Sequence, residues 1–169
     1  MDFFDPTYLT FFSRWLHVLS GIMWIGLLWY FNFIQIPSMP NIPDNEKPAI
    51  SKVIAPKALF WFRWAALATI LTGLLTAHLY GYLLEALSFG IIGETKKHTA
   101  IGIGMWLGII MAYNVWMIIW PNQKIALGIV SANDEAKPIA ARKAMLFSRT
   151  NTALSIPMLY AMVSSQNLY

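Results

Sequence analysis

The feature that most constrains this chain is the apolar stretch 14–33, RWLHVLSGIMWIGLLWYFNF. It begins with one cation, Arg14, and carries no further charge unless His17 is protonated. A helix that crosses the hydrocarbon core of a bilayer needs about 20 mostly apolar residues, because each residue adds 1.5 Å of rise. The stretch therefore predicts a membrane-spanning helix.

One face of this predicted helix is polar, although the helix as a whole is apolar. At helical spacing the residues on that face are His17, Ser20, Gly21, Trp24, Leu28, Asn32 and Gln35. Unpaired polar groups are costly in hydrocarbon, so we expect this face to point toward other helices of the protein.

Three further apolar segments follow, and together the four dominate the sequence. Of the 169 residues 57% are hydrophobic and only 12% are charged, which is about half the charge of a soluble domain. No strand pattern is present. We predict an all-α, integral membrane, up-and-down four-helix bundle formed by a single domain, 1–169, with spans at 9–35, 59–84, 98–120 and 146–164.

Prolines are expected to mark the limits and bends of these helices. Pro37, Pro40 and Pro43 should end the first helix and open a long loop, 36–57. Pro157 should kink the fourth helix. The first span lacks a basic region before it, so we expect it to be retained and not cleaved as a signal peptide.

The cations predict an orientation in the membrane. Of the 12 lysines and arginines, Arg14, Lys96 and Lys97 lie on the side of the N-terminus. By the positive-inside rule the other side is cytoplasmic, and both termini are periplasmic in a bacterial inner membrane. The remaining cations are Lys47, Lys52, Lys57, Arg63, Lys124, Lys137, Arg142, Lys143 and Arg149.

The chain contains three histidines and no cysteine. The lack of cysteine excludes disulfides, thiolate-bound iron–sulfur clusters, thiol catalysis and a covalent c-type haem. Counted along their helices, His17 and His78 lie at a similar depth, about 10 Å below the outer interface, and His98 lies near it. This predicts a haem b whose iron is bound by His17 and His78, with His98 as a possible third ligand. The alternatives are a bare copper, iron or zinc site, or histidines that only bond neighbouring carbonyls.

Polar residues also gather at the predicted cytoplasmic ends of the spans. Two arginines and several amides there suit a planar, anionic, hydrogen-bonding molecule. The alternative is that the arginines reach lipid phosphates and the amides cap helix ends. The predicted substrate-binding residues are Arg63, Asn114, Arg149 and Asn151.

Four stretches resemble the membrane domain of the bacterial membrane-bound urate oxidase (PuuD) family. They are RWLHVLSGIMWIG, LFWFRWAALATILTG, HTAIGIGMWLGIIMAYNVWMIIWPNQK and SRTNTALSIPMLYAMVS, of which NVWMIIWPNQK and SRTNTALSIPML are the most specific. The opening stretch is also similar, more loosely, to HemJ-type protoporphyrinogen oxidases. The resemblance implies an oxidoreductase that oxidises urate and passes electrons to a cytochrome c. In that family the cytochrome c module follows the last helix; here no CxxCH is present, so we expect a separate acceptor.

Two functions remain open from the sequence. The first is a haem b redox protein of the urate oxidase type, whose substrate enters from the cytoplasm. The second is a non-catalytic transmembrane subunit of a larger respiratory or oxygenase complex. The expected partners are membrane lipids, a separate cytochrome c or other membrane subunits, in an oligomer or complex, and no nucleic acid. No internal repeat and no pair of broken helices is evident, which disfavours a transporter.

Overall fold

The computed structural model describes residues 5–92 and 95–169, and all regular structure in these two ranges is helical. Three helices are long and apolar enough to cross a membrane: α1 (Pro6–Asn41), α2 (Ala49–Leu79) and α4 (Lys96–Ala126). A short helix, α3 (Leu83–Leu87), precedes α4, and a long one, α5 (Ala136–Asn167), follows it. The predicted spans 9–35, 98–120 and 146–164 lie inside α1, α4 and α5. That α5 crosses a membrane stays a prediction.

The first two helices have clear sequence signals at their outer ends. The Asp5 side chain accepts a hydrogen bond from the Thr7 N–H at 3.0 Å, and Pro6 occupies the first turn of α1. At the end of α2, Gly81 has a φ of 77° and the Tyr82 N–H bonds the Ala77 carbonyl. This is the glycine-dependent Schellman ending. The predicted span 59–84 is therefore divided, because α2 ends at Leu79.

Prolines do not end the helices where the sequence predicted. In α1, α2 and α4 a π-helical segment precedes a proline, and the residue just before that proline donates its N–H to the carbonyl five residues back. The wider turn moves the carbonyl that would clash with the proline ring, so the helix continues. The prediction that Pro37 ends α1 is wrong, and the loop 36–57 shortens to 42–48. The segments are Tyr30–Gln35, Ala49–Ile54 and Asn114–Ile119, before Pro37, Pro56 and Pro121.

Pro157 lies within α5, which continues through it as one helix from Ala136 to Asn167. No π-helical segment precedes this proline, in contrast to the other three helices. The kink expected there stays a prediction.

The long helices pair as two hairpins, α1 with α2 and α4 with α5. Residues from the start of α1, the end of α2, the start of α4 and the end of α5 line one cavity, so consecutive long helices run in opposite directions. The core lies at the contact between the hairpins, where the side chains of Trp24, Leu28, Phe62, Met111 and Ile119 are at most 2% exposed. Outside it, much of the apolar surface of α1 and α2 remains uncovered.

Candidate functional site

His17 lies half-buried between α1 and α2. Its Nδ1 donates a hydrogen bond to the Thr69 carbonyl oxygen at 2.9 Å. The imidazole rests on Gly73, where a Cβ would come within 2.8 Å of the His17 Cε1. This bond fixes the proton on Nδ1, so that Nε2 is the nitrogen left to accept a bond or bind a metal. His17 therefore fits both a packing role and the role of a single metal ligand.

The other two histidines lie in different surroundings. His78 is exposed, and it lies about 140° around α2 from Gly73, the residue that His17 touches, because five residues turn a helix by that angle. His98 is paired with Glu85, and its ring stacks on Tyr82 with centroids 5.8 Å apart and 17° between the planes. Within the described ranges no three His, Cys, Asp or Glu side chains are grouped to hold a metal ion.

His78 lies on a face of α2 different from the one that His17 contacts, so the structure gives no support to a haem held between the two. The sequence places His17 and His78 at a similar depth because only the rise along each helix was counted. The angle around the helix was not counted, and this angle turns His78 away from α1. Haem binding itself, and the role of His98 as a third ligand, stay predictions.

Two of the four predicted substrate-binding residues bond each other. The Asn114 Nδ2 donates to the Asn151 Oδ1 at 2.9 Å, and the Asn151 Nδ2 donates to the Met111 carbonyl at 2.9 Å. Both amides are buried, Asn151 completely. They join α4 to α5 in the interior, where a direct amide pair removes the need for a ligand.

The two arginines lie apart from this amide pair. The Arg63 guanidinium lies over the Trp120 ring, 3.8 Å from its centroid, and the Trp116 indole N–H donates to the Arg63 carbonyl at 3.1 Å. Arg149 is exposed and forms no ion pair with the described residues. The structure thus joins Asn114 to Asn151 but does not join them to the arginines, and the role of the four in substrate binding stays a prediction.

A charged cavity of about 420 Å³ lies at the opposite end of the molecule, where all the helices meet. The start of α1 contributes Arg14, the segment after α2 contributes Tyr80 and Tyr82, and α3 contributes Glu85. The remaining walls come from the start of α4 and the end of α5, including Lys97, His98, Ser165 and Gln166.

The groups around this cavity are held by ring stacking and charge. The Arg14 guanidinium lies over the Tyr80 ring, 4.4 Å from its centroid. Burial raises the pKa of Tyr82, and this effect is only partly offset by the nearby Arg14 charge, so the Tyr82 hydroxyl is protonated and able to donate at neutral pH. Sequence reasoning missed the cavity. The available signal was the presence of cations and tyrosines at the same end of successive helices.

Residues 95–168, fewer than half of the chain, match the family described as urate oxidase, N-terminal. The match covers α4, the following loop and all of α5, and so includes both the amide pair and the α4 and α5 walls of the charged cavity. No curated protein and no solved structure matches the chain.

Proposed function

We propose that this chain is a membrane-embedded part of a urate oxidase-type redox system, in which urate is oxidised and electrons pass to a separate cytochrome c. The observation that carries the proposal is the match of residues 95–168 to the urate oxidase N-terminal family. The match spans one helical hairpin, and α4 in that hairpin is among the helices able to cross a membrane.

The proposed reaction removes two electrons from each urate and reduces two cytochrome c molecules by one electron each. A bound haem would supply a one-electron relay, although His78 lies on a face of α2 different from the one that His17 contacts. What the chain itself contributes is binding and orientation of the anion, and a protein interior between the two faces of the membrane.

The proposed orientation places both termini and the charged cavity in the periplasm of a bacterial inner membrane. Nine of the 12 cations lie in the opposite loops and in the halves of the helices next to them, which is the bias that the positive-inside rule expects of a cytoplasmic face. Cytochrome c would then be reduced on the side of the cavity.

The test uses right-side-out vesicles from cells that express the chain, with urate present on both sides of the membrane and purified cytochrome c added outside. We expect cytochrome c reduction that depends on urate and on the chain, at two cytochromes per urate consumed. Vesicles from the same strain without the chain are the control. Reduction only in inverted vesicles would reverse the orientation, and no reduction in either preparation would contradict the proposed function.

A second function, a non-catalytic subunit of a larger membrane complex, is favoured by the uncovered surfaces of α1 and α2. In the most apolar 18-residue stretch of each helix, only 22% of the stretch in α1 and 28% of that in α2 is buried within the chain. Such faces contact lipid or another membrane subunit. If urate is not oxidised, mild-detergent extraction should yield the chain in a complex larger than 19.2 kDa; a monomer would contradict this alternative as well.

A further inference from the structure

We propose that the charged cavity binds a small planar organic anion. This inference deepens the proposed function and rests on it for its main probe, since urate is an anion of this class. It assigns the substrate to the end of the molecule opposite Arg63 and Arg149.

The first argument is the balance of charge in the cavity. Arg14 and Lys97 contribute two cations, and neither forms an ion pair with any described residue. The cavity also contains the carboxylate of Glu85, which contacts His98 and forms no ion pair with either cation, so among the described lining residues the two cations outnumber the single carboxylate. A cleft with an excess of positive charge attracts anions, and a guanidinium binds a carboxylate or similar group through two parallel hydrogen bonds.

The second argument is the shape of the groups that line the cavity. It contains two flat stacked pairs, Arg14 over Tyr80 and His98 against Tyr82. Aromatic rings and guanidinium planes provide faces on which a planar ligand stacks. The volume of about 420 Å³ is in the range of small-molecule sites, which is about 300–1,000 Å³.

The third argument is that the cavity is lined by side chains able to form hydrogen bonds with polar atoms at the edge of a planar ligand. The Tyr82 hydroxyl is protonated and can donate, and the Gln166 amide can both donate and accept. The two residues come from different parts of the chain, one after α2 and the other near the end of α5. A planar ligand with mixed donors and acceptors, such as a purine anion, can therefore bond both walls at once.

The test measures equilibrium binding of urate to the purified chain in detergent, without cytochrome c, so that no redox step is needed. Loss of a charge-assisted hydrogen bond should weaken binding by roughly ten-fold or more in Arg14→Gln and in Lys97→Gln. The matched control is Lys96→Gln, because Lys96 adjoins Lys97 but does not line the cavity. We expect less than a two-fold change there. Lys97 is exposed, so its variant should fold even if the Arg14 variant does not.

A second pair of probes tests planarity directly. Benzoate and cyclohexanecarboxylate carry the same charge, but only benzoate has a flat ring. Benzoate should bind several times more tightly; equal affinities would overturn the planar class. Urate binding that is unchanged in both cavity variants, or lost in Arg149→Gln, would overturn the site.

The outcomes separate this inference from the proposed function. Cavity-dependent anion binding without cytochrome c reduction supports the site and contradicts the proposed function. Urate-dependent reduction that survives both Arg14→Gln and Lys97→Gln supports the function and contradicts the site.

Discussion

The two hairpins, α1–α2 and α4–α5, share a sequence pattern but are held together by different contacts. MWIGLLWYFN at 23–32 in α1 matches MWLGIIMAYN at 105–114 in α4. KALFWFR at 57–63 in α2 matches KAMLFSR at 143–149 in α5. The pattern places Asn32 at the position of Asn114 and Arg63 at the position of Arg149. Within each pair, one residue therefore serves as a matched control for the other.

The matched asparagines show the first difference. Asn114 bonds Asn151 within its own hairpin, but the position of Asn151 is occupied in the first hairpin by Ala65. Asn32 therefore has no partner amide there, and it donates instead to the Ser148 hydroxyl of α5 at 2.8 Å. The second hairpin satisfies its asparagine internally, whereas the first depends on the second.

The second difference is how each hairpin closes. Between α1 and α2, His17 bonds the Thr69 carbonyl, while Ser13 and Ser20 meet the hydroxyls of Thr76 and Thr72 at 3.2 and 3.4 Å. In contrast, half of the most apolar 18-residue stretch of α4 is buried, which is more than twice the share in α1 and nearly twice that in α2. Helices surrounded by lipid gain little from hydrophobic association, so polar contacts and close packing hold them. The first hairpin relies more on such contacts.

The largest expected effect is at Asn151. Asn151→Ala leaves the Asn114 amide without its acceptor in a fully buried place, and we expect a loss of about 3 kcal/mol in the free energy of unfolding. Asn32→Ala should cost about 1 kcal/mol, since only one bond between side chains is lost there. Denaturation in mixed micelles, followed by circular dichroism, measures both. A larger loss in Asn32→Ala would invert the comparison between the hairpins.

A smaller loss in the free energy of unfolding is expected when alanine replaces a glycine that contacts a neighbouring helix. In Gly73→Ala the new methyl meets the His17 ring, which is rigid and bonded to Thr69, so we expect a loss of about 2 kcal/mol. Gly104→Ala meets the flexible Met162 side chain at 3.2 Å, which can move, so its loss should be under about 1 kcal/mol.

The same unfolding assay measures both glycine variants, with Gly26→Ala as the reference. No atom lies within 4 Å of a Cβ at Gly26, so that substitution should be neutral or slightly stabilising. Equal losses in Gly73→Ala and Gly104→Ala would show that the His17 contact is not rigid.

The smallest effect is expected at the matched arginines. Arg63→Gln removes the cation over Trp120 and should cost about 0.5–1 kcal/mol in the free energy of unfolding. Arg149→Gln should stay within about 0.5 kcal/mol, because Arg149 is exposed and has no ion-pair partner among the described residues. The same denaturation series compares them, and a greater loss at Arg149 would mean that it has a partner in the membrane.

The helices could be predicted from the sequence because apolar length is a local property. Their partners could not. The acceptor of the His17 bond is a backbone carbonyl, a group that every residue has, so nothing in the sequence marks Thr69. Asn114 and Asn151 looked free to bind a ligand, since composition does not show that two amides on different helices meet.

The pattern shared by the two hairpins was also missed from the sequence, for a related reason, and the absence of an internal repeat stays a prediction. The shared residues of the hairpins are few and are spread along helix faces, with Met, Trp, Gly and Asn kept and the residues between them changed. A search for contiguous identity misses such a pattern. The charged cavity was missed because it brings together residues from five helices or helix ends, and only the packing of the helices places them side by side.

The π-helical segments have a consequence for how this chain can vary in length. Each acts as a one-residue insertion within a helix, because its bonds span five residues in place of four, and it turns all later side chains by about 100°. Asn32 and Pro37 are five positions apart, whereas Asn114 and Pro121 are seven apart, so the matched hairpins fall out of register at this point. Related chains should therefore show gaps of one or two residues inside these helices, next to the prolines, and not only in loops.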